Sequence, residues 1–260
     1  MPEFHTPETG RFCWVELQTK DPAAAQRFYG GLFGWTFEDM PMPEGKYTIA
    51  KAGGKQVAGL MLLPEQAASM GMPPSWGVYV AVNDVKASTE AAAKQGAKVL
   101  LGPTPMGPGT FSVIADPTGA VFMLWHTPQP MGSFLYGEPG ALTWNELIST
   151  NADVAQSFYA QLFGWKGEPQ QMPNMTYTVF KQGDTMVGGL MPQPTSMKGA
   201  PSMWASYFAV ADADATFATA AKLGATVIMP LTDLPGVGRF GWLQDPQGAA
   251  FAIIKNAMPA

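Results

Sequence analysis

Apolar and polar positions in the first part of the chain follow two spacings in turn, one typical of strands and one typical of helices. Asp21 is a common helix N-cap, Pro22 suits the first helical position, and apolar side chains then recur at helical spacing until Gly34. Three short runs rich in β-branched and aromatic residues follow, separated by Gly and Pro turns such as 53–54. The pattern therefore predicts a βαβββ unit, in which a strand and an amphipathic helix precede three strands.

The same pattern returns about 130 residues later with matching side chains. Residues 14–17 (Trp-Val-Glu-Leu) recur as 144–147 (Trp-Asn-Glu-Leu), and the helical stretch 28–35 recurs as 158–165 with Phe-Tyr and Leu-Phe-Gly-Trp in the same places. Tyr47 likewise recurs 130 positions later, as Tyr177. Ordered matches at a nearly constant offset indicate that the chain arose by duplication.

Each half divides again into two units. Residues 77–84 repeat the first strand and helix cap of the first half, and residues 205–212 do so in the second half. We therefore predict a first domain over 1–130, a linker over 131–140 and a second domain over 141–260. Because the linker lies between the halves, units one and two are expected to pair with each other, as are units three and four.

The composition is that of a globular protein and excludes several partners. Hydrophobic residues make up 47% of the chain and charged residues 13%, which excludes disorder. The net charge is −5 with no basic cluster, so neither nucleic acid nor an anionic membrane is an expected partner. No basic and apolar leader and no membrane-length apolar stretch is present, which predicts a cytoplasmic protein. The oligomeric state stays open, a homodimer included.

The ordered set of motifs resembles the vicinal oxygen chelate superfamily, which includes glyoxalase I, bleomycin-resistance proteins and extradiol dioxygenases. The matching features are the capped helix with Phe-Tyr and Leu-Phe-Gly-Trp and an Asp-Pro-x-Gly turn, at 116–119 and 245–248, before the last apolar strand. They span residues 12–254. The resemblance implies an α+β fold: four βαβββ units forming two eight-stranded curled mixed sheets, or open barrels, with helices packed outside a cupped cavity.

Enzymes of the superfamily hold a divalent metal in this cavity through His, Gln or Glu, whereas the bleomycin-binding proteins have neither metal nor chemistry. The resemblance places the ligands seven residues before each helix cap and seven residues after the Asp of Asp-Pro-x-Gly. The residues at these positions are Trp14, Gly77, Trp144 and Ala205, and then Met123 and Ala252. These are poor ligands for such metals, so no metal and no cofactor is predicted, with a divalent metal at an unplaced site as the alternative.

Strand alternation places two acids in the cavity. If Trp14 and Trp144 face inward, Glu16 and Glu146 do so too. One interpretation is that each is a desolvated carboxyl with a raised pKa, able to act as an acid-base group. The other is a structural acid whose oxygens are satisfied by backbone amides or by a tyrosine hydroxyl. The sequence leaves both interpretations open.

Aromatic and thioether side chains are expected to form the walls of the cavities. The candidate ligand-binding residues are Trp14, Tyr79, Met123, Trp144 and Tyr207. Indole and phenol rings can stack on a flat ligand, and a methionine adapts to irregular shapes. The same side chains would equally serve as ordinary core.

Three functional hypotheses follow from different classes of protein. The first is a metal-free module that binds a small apolar or aromatic molecule in its cavities. The second is an enzyme of the superfamily, a lyase, isomerase, hydroxylase or dioxygenase, that uses Glu16 or Glu146 as an acid-base group or holds an unplaced metal. The third is a scaffold for protein contacts whose cavities are filled by side chains.

Overall fold

Four of the described helices begin at a polar side chain that caps the first turn. Asp21 Oδ1 accepts a hydrogen bond from the amide of Ala24 at 3.0 Å, and Gly34 ends the helix with a φ of 70°. Only glycine adopts that left-handed conformation without strain. The other three helices are capped in the same way by Asp84, Asn151 and Asp212.

The structure, a computed structural model, describes residues 3–4, 8–42, 45–69, 71–129, 134–172 and 175–257. The first half contains β1 (Glu3–Phe4), β2 (Phe12–Thr19), α1 (Pro22–Phe33), β3 (Thr36–Met42), β4 (Gly45–Ala52), β5 (Lys55–Leu62), α2 (Glu65–Ser69), β6 (Ser75–Ala81), α3 (Val85–Lys94), β7 (Lys98–Met106), β8 (Gly109–Ala115) and β9 (Val121–His126). Between the halves lies β10 (Phe134–Leu135). The second half contains β11 (Leu142–Ser149), α4 (Ala152–Phe163), β12 (Lys166–Met172), β13 (Met175–Gln182), β14 (Thr185–Pro192), a 3-10 turn (Thr195–Met197), β15 (Met203–Ala209), α5 (Ala213–Lys222), β16 (Thr226–Leu234), β17 (Gly238–Gln244) and β18 (Ala250–Asn256).

The strands form two mixed sheets, one from each half of the chain. The strand order is β3-β4-β5-β2-β6-β9-β8-β7 in the first sheet and β12-β13-β14-β11-β15-β18-β17-β16 in the second. The first strands of the two units in each half pair antiparallel, so that Glu16 lies opposite Gly77 and Glu146 lies opposite Ala205. The predicted α+β fold and the pairing of consecutive units are therefore confirmed.

The helices lie outside the curled sheets and also form part of the contact between the two halves. Helix α1 contacts α5, and α3 contacts α4, so that helices from different halves meet. One hydrophobic core therefore contains side chains of both halves, among them Leu17, Phe28, Phe158 and Phe208. Side chains on the concave faces of the sheets, away from the helices, form separate clusters that do not belong to this core.

Two equivalent hydrogen-bond networks cross this core. The hydroxyl of Tyr29 on α1 donates to Asp245 Oδ2 at 3.0 Å and accepts from Trp76 Nε1 at 3.0 Å. Tyr29 and Asp245 belong to opposite halves, so the bond ties the first unit to the fourth. The repeat-related network ties the third unit to the second at 2.8–2.9 Å and consists of Tyr159, Asp116 and Trp204.

The Asp of each Asp-Pro-x-Gly turn therefore accepts hydrogen bonds both from its own turn and from the other half. Oδ1 of Asp116 accepts from the amides of Thr118 and Ala120, which closes the turn. Its Oδ2 accepts from Tyr159 of the other half. Because Asp116 is almost fully buried, every one of these partners matters for satisfying its charge.

Part of the segment between the halves is built into the first sheet. Phe134 in β10 pairs with Gln56 in β5, and β1 pairs with β10. Phe134 and Leu135 are both buried. Residues 131–133 of the predicted linker lie outside the described residues, and the domain boundaries at 131–140 stay a prediction.

The helices in the described ranges are short. The longest have 12 residues, or about 18 Å of length. None of them has the length and apolar character needed to span a bilayer.

Tyr159→Phe is expected to lower the free energy of unfolding by about 1–3 kcal/mol, because buried Asp116 Oδ2 and Trp204 Nε1 lose their shared partner. Urea denaturation followed by circular dichroism measures this. Ser157→Ala, on the exposed face of the same helix, is the control and should change the free energy by about 0.5 kcal/mol or less. An unchanged midpoint and slope for Tyr159→Phe would show that the bond between the halves is dispensable.

Candidate functional site

The concave face of each sheet carries aromatic and apolar side chains around a buried glutamate. The first cup is defined here as Glu16 with its surrounding cluster of Cys13, Trp14, Tyr79, Ala81, Met123, Trp125 and Phe134. The second cup is defined as Glu146 with Trp144, Ile148, Ala205, Tyr207, Trp242, Ala252 and Ile254, and a half-buried margin of Met191, Met203, Met229 and Phe240. Both clusters are separate from the core that joins the halves.

The structure brings the predicted residues of the first cup together. Because β2 and β6 pair antiparallel, Tyr79 lies opposite Trp14, and its hydroxyl donates to Glu16 Oε1 at 3.0 Å. Met123 lies beside Tyr79 on the parallel strand β9. Gln18 also donates to Glu16 Oε1, at 3.4 Å.

The second cup repeats this arrangement with one addition. Tyr207 lies opposite Trp144, and its hydroxyl donates to Glu146 Oε1 at 2.8 Å. The hydroxyl of Tyr207 also accepts a hydrogen bond from Trp242 Nε1 at 3.1 Å. The predicted residues Trp144, Glu146 and Tyr207 are thus in one place, and Trp242 completes the set.

A second tyrosine in each cup was missed by strand alternation alone. Tyr47 accepts a hydrogen bond from Trp14 Nε1 at 2.8 Å, and Tyr177 accepts one from Trp144 Nε1 at 2.9 Å. Both tyrosine hydroxyls also interact with the glutamate of their cup. The signal available in the sequence was that Tyr47 and Tyr177 are repeated at the same offset as the glutamates.

Glycines make room for these tyrosines. A Cβ atom at Gly189 would lie 1.7 Å from the hydroxyl of Tyr177, and one at Gly59 would lie 2.0 Å from that of Tyr47. Any larger residue would displace the tyrosine from the glutamate. The repeated Gly-Leu-Met segment of β5 and β14 therefore serves the cup as well as the strand.

Burial dominates the ionisation of these groups. Desolvation raises the pKa of Glu16 and of Glu146 above the ordinary value of 4.5, and the hydrogen bonds from the surrounding tyrosines only partly oppose it. Burial and the neighbouring glutamates also raise the pKa of Tyr79 and Tyr207, which keeps both phenols protonated as donors. Each cup therefore offers hydroxyl groups and a carboxyl that is harder to ionise than one in water.

The first cup also contains buried polar atoms that lack a partner. Within the described residues, Glu16 Oε2 and Trp125 Nε1 have no hydrogen bond. A buried polar atom without a protein partner is the kind of group that an ordered water satisfies. Each glutamate has a tyrosine partner, as expected of a structural acid, and a raised pKa, as expected of an acid-base group. Both interpretations therefore stay compatible with the geometry.

The residues at the superfamily's ligand positions do not fit a divalent metal. A Cβ atom at Gly77 would lie 2.5 Å from Met123 Cε, so a thioether occupies that part of the first cup. The indole nitrogens of Trp14 and Trp144 are donors already bound to tyrosine. His126 lies at the end of β9 with Nδ1 3.0 Å from the Val82 carbonyl oxygen. Across the described ranges, no three His, Cys, Asp or Glu side chains come together as a metal-binding group.

Similar sequences cover nearly the whole chain. It is 42% identical over 261 residues to CFP32 of Mycobacterium tuberculosis, whose name proposes a glyoxylase, with 99% of both chains covered. It is 34% identical over 259 residues to the anthracycline biosynthesis protein DnrV of Streptomyces peucetius, covering 95% of this chain and 93% of that protein.

Solved structures share the fold at low sequence identity. The 2,2',3-trihydroxybiphenyl 1,2-dioxygenase of Sphingomonas wittichii has a TM-score of 0.66 at 14% identity, covering 96% of this chain and 91% of that one. The Mn(II)-bound glyoxalase of Novosphingobium aromaticivorans has a TM-score of 0.62 at 16% identity, with 98% and 87% covered. Residues 11–124 and 142–253 each match one family description. The chain belongs to the glyoxalase/bleomycin resistance protein/dioxygenase superfamily.

Proposed function

We propose that this protein binds a small, largely apolar or aromatic molecule in a cup, without a metal at the superfamily's ligand positions. The observation that carries the proposal is the construction of the cup itself. Indole, phenol and thioether groups surround one buried carboxyl, which receives a hydrogen bond from a tyrosine at 2.8 Å in the second cup and 3.0 Å in the first. Ligand sites commonly have this form, with apolar walls and a few convergent polar groups.

The wall chemistry favours a ring system as the ligand. Tryptophan and tyrosine present flat, weakly polar surfaces, and methionine adjusts to irregular outlines. A ligand carbonyl or hydroxyl can exchange hydrogen bonds with the glutamate and tyrosine of the cup. The similarity to a protein of anthracycline biosynthesis supports a fused-ring aromatic molecule as the class to test.

An enzyme of the superfamily is the second candidate, and the raised pKa of the two glutamates favours it. Desolvation raises the pKa of both carboxyls. A neutral carboxylic acid held by a phenol can donate a proton to a bound carbonyl and accept it again, as a lyase or isomerase requires. In this candidate, Glu16 or Glu146 is the acid-base group.

Binding is tested with quinizarin, a planar dihydroxyanthraquinone, by isothermal titration calorimetry on the full chain. We expect saturable binding that weakens at least tenfold, about 1.4 kcal/mol, in the Trp14→Ala/Trp144→Ala double variant, because both cups lose an indole wall. Arg27→Ala, on the exposed face of α1, should retain the wild-type affinity. If folded wild-type protein shows no saturable heat with quinizarin or with a panel of naphthols and flavonoids, the proposed function fails.

The protonation of Glu146 is tested by the pH dependence of stability. Its pKa is higher in the folded chain than in the unfolded one, so its contribution is fully present below about pH 4.5 and is lost as the pH rises through the folded value. Glutamine does not titrate, so the melting temperature of Glu146→Gln relative to wild type should increase from about pH 4 to about pH 9.

Thermal unfolding followed by circular dichroism gives this comparison. The control is Glu90→Gln on the exposed side of α3, which makes the same chemical change away from both cups. A constant difference for Glu146→Gln would mean that the carboxyl ionises normally, and the acid-base candidate would lose its support.

A further inference from the structure

The first cup is covered by the segment that connects the halves. The rings of Phe134 and Trp14 have their centroids 5.4 Å apart, with their planes inclined at 49°. Pairing of β10 with β5, through Phe134 and Gln56, holds the phenyl ring in place. Trp14 and Phe134 each retain only 6% exposure as a result. The indole of Trp14 therefore lies inside a closed cluster and offers little free surface to a ligand.

Among the described residues, no strand covers the second cup as β10 covers the first. The residue that the repeat aligns with Phe134 is Phe4, and its strand β1 pairs with β10 at the edge of the first sheet. In the described part of the second sheet, Met186, the counterpart of Gln56, pairs only with Lys181 of β13 and is 60% exposed. Trp144 is accordingly half-buried, where Trp14 is buried.

The residues beside the two glutamates also differ. In the first cup the cross-strand pair next to Glu16 is Gln18 and Ser75, and Gln18 hydrogen-bonds to the carboxyl. In the second cup the equivalent pair is Ile148 and Met203, which cannot make that bond. The approach to Glu146 is therefore apolar and adaptable, and Glu146 keeps 7% exposure against 1% for Glu16.

Polar groups at the base of the second cup define the chemistry of its ligand. Tyr207 is held between Trp242 Nε1 and Glu146 Oε1, so its hydroxyl has a fixed direction. A ligand hydroxyl or carbonyl that reaches Glu146 meets a carboxyl able to donate or accept. Two indoles, Trp144 and Trp242, provide the aromatic surface.

From these differences we infer that the second cup alone is the ligand-binding site, and that its ligand is a flat aromatic molecule with a hydroxyl or carbonyl group directed at Glu146. The first cup is a closed copy, in which Phe134 occupies the place of a ligand. The inference rests on the proposed function and assigns it to one of two similar sites.

Exchange of the cross-strand pairs between the cups tests this assignment. Ile148→Gln/Met203→Ser gives the second cup the polar pair of the first, and Gln18→Ile/Ser75→Met is the reciprocal control. With quinizarin in isothermal titration calorimetry, wild type should bind one equivalent per chain. The second-cup variant should bind at least tenfold more weakly, and the reciprocal variant should bind within about twofold of wild type.

Each outcome distinguishes the cup assignment from the proposed function. No saturable binding by folded wild type overturns both. Binding by wild type that weakens only in the reciprocal variant, or that reaches two equivalents per chain, overturns the assignment and leaves the proposed function standing. If the second-cup variant does not fold, Trp144→Ala replaces it, because the half-buried indole packs against the buried cluster of the second cup and does not belong to the core that joins the halves.

Discussion

Two tyrosine hydroxyls, each bound to a carboxylate of the opposite half, organise this molecule. Tyr29 and Asp245, together with Tyr159 and Asp116, place a charged group and its partner inside a core made by both halves. A buried carboxylate that lost its partners would cost several kcal/mol, so the arrangement holds the halves in one relative position. The convex faces and helices are used in this contact. The concave faces, which carry the glutamates, therefore take no part in the contact between the halves.

Within each cup, hydrogen bonding and burial act together on one carboxyl. Antiparallel pairing of β2 with β6, and of β11 with β15, brings one tyrosine to the glutamate of each cup. A glycine in β5 or β14 leaves room for a second tyrosine. These phenols supply donors without a charge, so desolvation still raises the pKa of the acid. At the positions where the resemblance places the superfamily's metal ligands, this chain has indoles, small side chains and a thioether.

Duplication produced two copies of this arrangement, and a short segment made them unequal. Phe134 lies over the first cup, and Gln18 adds a polar contact to its glutamate. The second cup has a half-buried indole and a margin of methionines instead. We propose that one copy contributes to the common scaffold while the other binds a ligand.

The sequence by itself determined the repeat, the helix caps, the order of elements in each unit and the shared face of Trp14 and Glu16, because capping and strand alternation act over a few residues. It did not reveal that Tyr47 and Tyr177 reach the glutamates, since this depends on how a neighbouring strand curls over Gly59 or Gly189. The bond from Tyr29 to Asp245, 216 residues apart, and the cover of Phe134 over one cup were likewise decided by the tertiary structure. Such contacts follow from the packing of whole sheets, which no local spacing encodes.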